Sequence, residues 1–268
     1  NLKKNIEIIS SLSNPKIKFI SGLFLRKNRI SSGLFLVEGE RVVKQAIISG
    51  WVPKYLIYLT GRQRNPEINK LINKCIELNG TILEVSNKIL SKISRKDNPQ
   101  MILAVFEQKY TSLEDALKIK NTWVGLDRVR DPGNLGTIIR TCDAVGAEGV
   151  ILIDSCCDPF SPEATRASMG AIFSLKVVKT ESDEFIKSNK SYKGKIIGTS
   201  MKASDSYLDA KWGKNPILLM GNEQSGLSKK LEERTDQNIK LPMKGSSDSL
   251  NLSVATGILL FEIVKHKI

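Results

Sequence analysis

The turn after the apolar run PILLM comes close to a nucleoside triphosphate-binding loop. Gly221, Gly226 and Ser228 fall in the register of the pattern G-x-x-x-x-G-K-S/T, but Leu227 stands where that pattern needs lysine. An apolar residue there cannot neutralise phosphates, and Glu223 inside the turn would repel them. We therefore expect the turn to present backbone groups to an uncharged part of a ligand, although a purely structural glycine turn would have the same composition.

A second segment with unusual residues, Asp127–Ala147, joins an apolar strand to a helix. Asp131–Asn134 contains turn and helix-capping residues, an apolar face follows, and Gly146 is a natural helix stop. Arg140 projects from a different face of this helix, where it could serve a site or pair with a surface carboxylate.

A third segment, Ile239–Glu262, runs from a strand through a Ser- and Asn-rich loop into a helix predicted over Leu252–Lys265. The apolar residues of that helix form a wide stripe. Such a helix must be largely buried, either in the domain core or at a subunit interface.

Several other chemistries lack the residues they need. No G-x-G-x-x-G follows a strand, which argues against a dinucleotide. The single histidine, His266, lies two residues from the C-terminus, and we expect a solvated side chain rather than a general base. The cysteines lack zinc-site spacing, so we expect no metal and reduced thiols in a cytoplasmic protein; they are Cys75, Cys142, Cys156 and Cys157.

The charge of the chain favours a polyanionic partner. The net charge is +13 over 268 residues, and a basic surface attracts nucleic acid. Up to residue 115 there are 19 basic and 10 acidic residues, against 22 and 18 in the remainder. The first part is therefore the predicted RNA-binding module, while no stretch approaches the roughly 18 apolar residues of a membrane span.

The first part alternates short strands and helices, which is typical of an α/β sandwich. Ahead of these elements, five basic residues lie beside Phe19, Leu23 and Leu25. A helix that docks its apolar face and turns its basic face to phosphate would explain this pattern, and so would a plain solvated face. The five basic residues are Lys16, Lys18, Arg26, Lys27 and Arg29.

The second part contains longer apolar strands, which are expected where both faces of a strand are buried. A parallel sheet covered by helices follows, and such sheets bind ligands at the carboxyl ends of their strands, where all three segments place their unusual residues. We predict an α/β domain over residues 1–110, a linker over 111–121 and a larger α/β domain over 122–268. The linker carries a helix-start pattern, Ser112-x-x-Asp115.

Together the three segments carry a resemblance to a known family. The patterns N-x-G-x-x-x-R (Asn134 to Arg140), G-N-E-x-x-G-L-S (from Gly221) and L-P-M-x-G-x-x-x-S-L-N-x-S-V-A (from Leu241) resemble the three motifs of the SpoU (TrmH-like) RNA ribose 2′-O-methyltransferases of the SPOUT class. FLVEGERVVKQAI and NPQMILAVF are similar to the N-terminal substrate-binding domain of many members, which resembles an RNA-binding ribosomal-protein fold.

The resemblance implies a parallel-sheet domain with a deep trefoil knot that binds S-adenosylmethionine. Backbone groups of Gly221, Leu241 and Leu250 would hold the adenine and ribose, and Thr199 and Met243 would line the pocket. The family works as a homodimer, with the last helix and the first-motif helix in the interface.

The implied reaction transfers the sulfonium methyl group to a ribose 2′-hydroxyl of RNA. By resemblance Arg140 approaches the hydroxyl, while other residues position the groups around it. A guanidinium has a pKa above about 12 and is a poor base, so we expect Arg140 to stabilise the developing oxyanion and Glu223 to accept the proton. The positioning residues are Asn134, Glu223, Ser249 and Asn251, and Arg41 and Arg166 join the RNA-binding residues.

Three other functions fit part of these observations. The N-terminal domain favours ribosomal RNA, and a transfer RNA ribose methyltransferase is the first alternative. A non-catalytic ribosomal-type RNA-binding protein would explain the charge but not the three motifs. A knotted methyltransferase acting on a base would not need this arrangement of Asn134 and Arg140.

Overall fold

The computed structural model describes residues 6–265; His266 lies outside them. Contacts divide the chain into two units. The N-terminal unit ends at Gln108 and also contains Phe160–Ser174, whereas the C-terminal unit holds Lys109–Pro159 and the chain from Leu175 onwards. No helix among the described residues is long and apolar enough to cross a membrane.

The N-terminal unit is built on a five-stranded sheet in the order β1-β4-β3-β5-β2. β5 is antiparallel to β2 and β3, and the remaining pairs are parallel. The sequence predicts four of these strands, at residues 33–39, 55–60, 81–86 and 101–106. The sheet adds β1, whose sequence IEII lacks a clear alternation. The strands are β1 Ile6–Ile9, β2 Leu34–Glu38, β3 Tyr55–Leu59, β4 Thr81–Val85 and β5 Ile102–Glu107.

Side-chain caps start most helices of this unit. Asn14, Asn65 and Ser86 each accept a hydrogen bond from a backbone N–H of the first turn. The sequence predicts a helix from about Asn69, whereas Asn65 and the following proline begin α4 three residues earlier. The helices are α1 Pro15–Gly22, α2 Arg26–Ser32, α3 Glu40–Ile48, α4 Pro66–Glu77, α5 Asn87–Ser94 and α8 Pro162–Ser168.

The core of the N-terminal unit corrects the predicted face of the first helix. Ile17, Ile20 and Leu23 are buried against the sheet, whereas Phe19 and Leu25 are 41% and 44% exposed. The basic segment forms two short helices rather than one, so the apolar residues do not share a single face.

Five aromatic rings tie Phe160–Ser174 to the N-terminal unit. The ring of Phe35 lies 4.5 Å from that of Phe160, and the ring of Trp51 lies 5.0 Å from that of Phe173. Trp51 Nε1 donates to the carbonyl of Phe173 at 3.0 Å, and Phe106 completes the cluster. Because these rings are buried, their packing makes the segment part of this unit's core.

The C-terminal unit has the predicted parallel sheet, with seven strands in the order β10-β12-β9-β11-β6-β7-β8. The central strands are buried along their length. The run NIKLPM predicts a strand through Met243, but β12 ends at Lys240 and Leu241–Met243 lie in a loop. The strands are β6 Trp123–Asp127, β7 Gly149–Ile153, β8 Lys176–Thr180, β9 Ile196–Thr199, β10 Asp205–Ser206, β11 Ile217–Met220 and β12 Gln237–Lys240.

The stretch predicted as a linker contains a helix that belongs to this core. Ser112 caps it by accepting from the backbone N–H of Asp115, as its sequence pattern predicts. Leu113 and Ala116 are buried in the hydrophobic cluster of the C-terminal unit. The helices of this unit are α6 Leu113–Lys118, α7 Pro132–Ala144, α9 Ser182–Asn189, α10 Lys229–Glu232 and α11 Leu252–Lys265.

The strand order decides where the functional loops lie. β12, β9, β11 and β6 are neighbours, and because they are parallel their carboxyl ends share one edge of the sheet. The loops that follow these four strands therefore meet there. The trefoil knot stays a prediction from the resemblance.

Candidate functional site

A cavity of about 510 Å³ opens at this edge of the C-terminal sheet. Glu223, Ser249 and apolar side chains of α11 line part of this cavity. The structure thus brings all five residues predicted for the cofactor to one place. These five are Thr199, Gly221, Leu241, Met243 and Leu250.

The turn after β11 forms one wall of the cavity. Asn222 and Gly226 exchange two backbone hydrogen bonds of 3.0 Å, and the side chain of Asn222 accepts from the N–H groups of Gln224 and Ser225. A Cβ at Gly221 would lie 2.1 Å from the backbone N of Leu227, and Gly226 has a φ of +68°. Glycine is therefore required at both ends of this turn.

A buried ion pair that the sequence did not point out holds the turn in place. Asp127, at the end of β6, is fully buried and accepts from Arg128 Nε at 2.9 Å and from the N–H of Ser228 at 2.7 Å. Arg128 also donates to the carbonyl of Gly226 at 3.1 Å, and its own carbonyl accepts from Asn222 Nδ2 at 2.8 Å. Arg128 adopts a φ of +53°, an uncommon value for arginine.

Glu223 joins the turn after β11 to the loop after β6. Its carboxylate accepts from the N–H of Asp131 at 2.9 Å and from the N–H of Arg130 at 3.1 and 3.2 Å. Both carboxylate oxygens are thus engaged by backbone donors next to the start of α7. This geometry fits a positioning role, because protonating either oxygen would weaken a hydrogen bond that it accepts.

The loop between β12 and α11 offers its backbone to the cavity. Residues 241–250 make no hydrogen bond to any other described residue. Leu241, Met243 and Leu250 add apolar surface beside these free donors and acceptors. A mainly apolar cavity of this volume with unpaired backbone groups fits adenosine joined to methionine.

Two asparagines link the first and third motifs. Asn251 Nδ2 donates to Asn134 Oδ1 at 3.0 Å. The side-chain oxygen of Asn251 accepts from the N–H groups of Ser253 and Val254, and so caps α11. The backbone N–H of Asn134 donates to the side chain of Asp131, the cap of α7. The asparagines therefore fix the starts of two helices that pack together.

Arg140 lies apart from the other predicted catalytic residues. It is exposed on α7 and does not line the cavity of its own chain. Its guanidinium forms no ion pair or hydrogen bond with the other described residues. α11 packs against α7 and exposes Val254 and Phe261 by 51% and 61%, whereas Leu259, Leu260 and Ile263 are buried.

The predicted RNA-binding residues fall into different environments. Arg29 is wrongly assigned: it is 3% exposed, and its guanidinium donates to the carbonyls of Leu23 and Phe24 at 2.9 and 2.8 Å. It therefore stabilises the end of α1 instead of meeting phosphate. Lys16 pairs with Glu7. The exposed residues of the set are Lys18, Arg26, Lys27, Arg41 and Arg166.

Two cysteines, Cys156 and Cys157, lie in the loop after β7. Burial raises the pKa of Cys157 to about 12, with smaller contributions from Cys156 and Glu223, and burial raises the pKa of Cys156 to about 11. Neither forms a disulfide, and a thiol with such a pKa is a weak nucleophile at neutral pH. Between residues 6 and 265 no group of three His, Cys, Asp or Glu could hold a metal ion.

Comparisons with known proteins agree with this geometry. Residues 121–261 match the model of the SpoU rRNA Methylase family, and residues 14–104 match an MRM3-like substrate binding domain. The chain is 31% identical over 255 residues to the 23S rRNA (guanosine(2553)-2'-O)-methyltransferase RlmP of Bacillus subtilis, which covers 95% of this chain and 98% of that protein.

Solved structures resemble the chain over nearly its whole length. An AdoMet-bound rRNA methyltransferase from Sinorhizobium meliloti superposes with a TM-score of 0.92 at 40% identity and covers 98% of this chain and 99% of that one. The SpoU methyltransferase AviRb from Streptomyces viridochromogenes gives a TM-score of 0.84 at 27% identity, covering 95% and 98%.

Proposed function

Because the chain belongs to the SpoU rRNA methylase family, we propose that it methylates a ribose 2′-hydroxyl of ribosomal RNA with S-adenosylmethionine. The five residues expected around the cofactor line one cavity, and this coincidence supports the proposal most directly. The cofactor supplies a methyl group on a positively charged sulfur. A ribosomal RNA substrate supports a cytoplasmic location for the enzyme.

Different residues of the cavity would bind different parts of this cofactor. Gly221 and the loop 241–250 offer backbone donors and acceptors, which suit an adenine edge and ribose hydroxyls. Met243 and Leu250 supply apolar surface. No lysine occupies position 227 to hold phosphate, so a nucleoside without phosphates fits better than a nucleotide.

Glu223 is proposed to position the loop after β6, in preference to accepting the hydroxyl proton. Its oxygens already accept the N–H groups of Arg130 and Asp131. Glu223→Gln separates these roles, because glutamine keeps one acceptor oxygen but cannot take a proton. A positioning role predicts a kcat within about tenfold of wild type, whereas loss of turnover at every pH would assign the proton to Glu223.

Arg140 is proposed to stabilise the developing 2′-oxyanion of the ribose in the cavity of a second copy. Its exposed place on α7, outside its own cavity, supports a site shared within a homodimer. The exposed apolar residues on α11 offer a surface for that contact. Mixing Arg140→Ala with Gly221→Val chains tests the shared site, since only mixed dimers would combine an intact arginine with an intact cavity.

The role of the guanidinium has its own test. Arg140→Lys keeps a positive charge but loses the planar fork of donors. We expect inactivity at every pH. Turnover that returns at alkaline pH would instead indicate that the side chain at position 140 acts as a simple base.

Transfer of a labelled methyl group from S-adenosylmethionine to unmodified 23S rRNA and to total tRNA tests the activity. Alkaline hydrolysis of the product then locates the modification, because a 2′-O-methyl group blocks cleavage at that nucleotide. We expect one protected position in 23S rRNA. Label found only in tRNA would indicate that tRNA is the substrate. Label at a nucleotide that alkali still cleaves would indicate methylation of a base.

A further inference from the structure

A second cavity, of about 400 Å³, lies within the N-terminal unit. Its walls come from the loop between α1 and α2, the end of β2, the start of α3, the loop after α5, and α8. All these elements belong to one unit, and none of their residues lines the cofactor cavity. The cavity is therefore a separate feature of the molecule.

The surface of this cavity combines apolar side chains with hydrogen-bonding groups. Phe24, Val42 and Met169 provide apolar contact, and Met169 is 45% exposed. Arg95 lies over the ring of Phe24, with its guanidinium carbon 4.5 Å from the ring centroid. Aromatic rings and guanidinium planes are the groups on which unpaired RNA bases stack.

Two arginines at the cavity are available to bind a phosphate group. Lys96 and Glu38 satisfy each other in an ion pair. Arg41 and Arg166 are exposed and form no ion pair among the described residues. Guanidinium groups bind phosphate through paired donors. Glu40 offsets part of the positive charge and, as an acceptor, suits the amino edge of a base rather than phosphate.

The volume of this cavity limits the size of the ligand it can hold. Sites for small ligands span about 300–1,000 Å³, and this cavity lies near the lower end of that range. One nucleotide fits such a space, whereas a base-paired duplex does not. Gln100, at the rim, adds an amide that can both donate and accept.

We propose that this cavity receives one unpaired nucleotide of the RNA substrate, its base against Phe24, Val42 and Met169 and its phosphate at Arg41 and Arg166. The proposal rests on the proposed function, since it assumes that RNA is the substrate. The N-terminal unit would then recognise one unstacked nucleotide, in addition to attracting the RNA backbone by its positive charge.

Methionine methyl groups report on the two cavities separately. Met169 lines the N-terminal cavity, Met201, Met220 and Met243 line the cofactor cavity, and Met101 lines neither. The 268-residue chain is labelled with 13C at the methionine methyl groups and saturated with S-adenosylhomocysteine. Adenosine 5′-monophosphate is then expected to shift the Met169 signal. The same concentration of inorganic phosphate is expected to leave that signal unchanged.

Matched variants connect the shift to the arginines. Replacing both Arg41 and Arg166 by alanine should raise the dissociation constant of adenosine 5′-monophosphate, measured at the Met169 signal, at least about tenfold. Loss of charge-assisted hydrogen bonds has an effect of this size. Arg64→Ala removes an exposed arginine of the same unit away from the cavity and should leave the constant unchanged. An unmoved Met169 signal, an equal response to inorganic phosphate, or equal weakening by Arg64→Ala would each overturn the proposal.

Methyl transfer separates this inference from the proposed function. The double arginine variant should raise the KM for RNA about tenfold or more while the affinity for S-adenosylmethionine stays unchanged. An unchanged KM would refute a role in substrate recognition. Absence of RNA methylation by the wild-type protein would refute the proposed function, while nucleotide binding at Met169 would still be measured independently.

Discussion

Replacing Asp127 by asparagine should destabilise the C-terminal unit and loosen the turn after β11. The carboxylate is fully buried and receives two donors from Arg128, at 2.9 and 3.0 Å, and the N–H of Ser228 at 2.7 Å. Asparagine loses the charge and turns one acceptor oxygen into a donor. At least one of the three donors is then left unsatisfied.

The cost follows from the burial of the pair. Removing one partner of a buried ion pair costs about 3–5 kcal/mol. The side chain of Arg128 is 32% exposed and regains some hydration, which places the cost at the lower end, about 3 kcal/mol. For a unit of this size about 2–4 °C is lost per kcal/mol, so we expect the melting temperature to fall by about 6–12 °C.

Calorimetry measures the stability, and hydrogen exchange locates the change. The amide of Ser228 should exchange faster in Asp127→Asn, because its acceptor is weakened, and S-adenosylmethionine should bind several-fold more weakly. Asp143→Asn is the matched control, since Asp143 is exposed on α7 of the same unit. If both variants melt and exchange alike, Asp127 does not hold the turn.

Three further measurements address other parts of the molecule. Iodoacetamide at pH 8 should alkylate Cys157 about a thousandfold more slowly than in urea-unfolded protein, because burial raises its pKa from 9.0 to about 12; equal rates would contradict this. The hydrogen bond from Lys176 lowers the pKa of Glu148 below its usual 4.5, so its stabilisation is present above about pH 4.5 and is lost as the pH falls. Glu148→Gln should therefore melt lower than wild type at pH 6, and this difference in melting temperature should shrink as the pH falls below about 4.5. The proposed homodimer would form through the exposed face of α11, so Phe261→Asp should sediment as a monomer of 29.8 kDa, whereas Ile48→Asp, also exposed, should sediment as wild type does.

The sequence predicts the sheet of the C-terminal unit well because its signals are local. Apolar runs mark β6, β7 and β11, which are buried along their length. Gly146, the predicted helix stop, has a φ of +72° after α7. Two short edge strands, β1 and β10, are missed, since four and two residues carry too little pattern.

Tertiary contacts decide the remaining features. Nothing in RKNRIS distinguishes Arg29, whose guanidinium donates to the carbonyls of Leu23 and Phe24, from its exposed neighbour Arg26. Asp127 ends a strand as many exposed acids do, and its burial depends on Arg128 and on a turn about 100 residues away in the chain. Such pairings are set by the fold and leave no periodic trace in the sequence.

The return of Phe160–Ser174 to the N-terminal unit affects how the protein is made. During synthesis the first 108 residues emerge with Phe35, Trp51 and Phe106 present, while Phe160 and Phe173 are still to come. The ring cluster closes only after Lys109–Pro159, with β6 and β7, has left the ribosome. The two units therefore mature in an interleaved order, and a gene fragment cut at Gln108 would encode an N-terminal unit with an unfilled core and without Arg166.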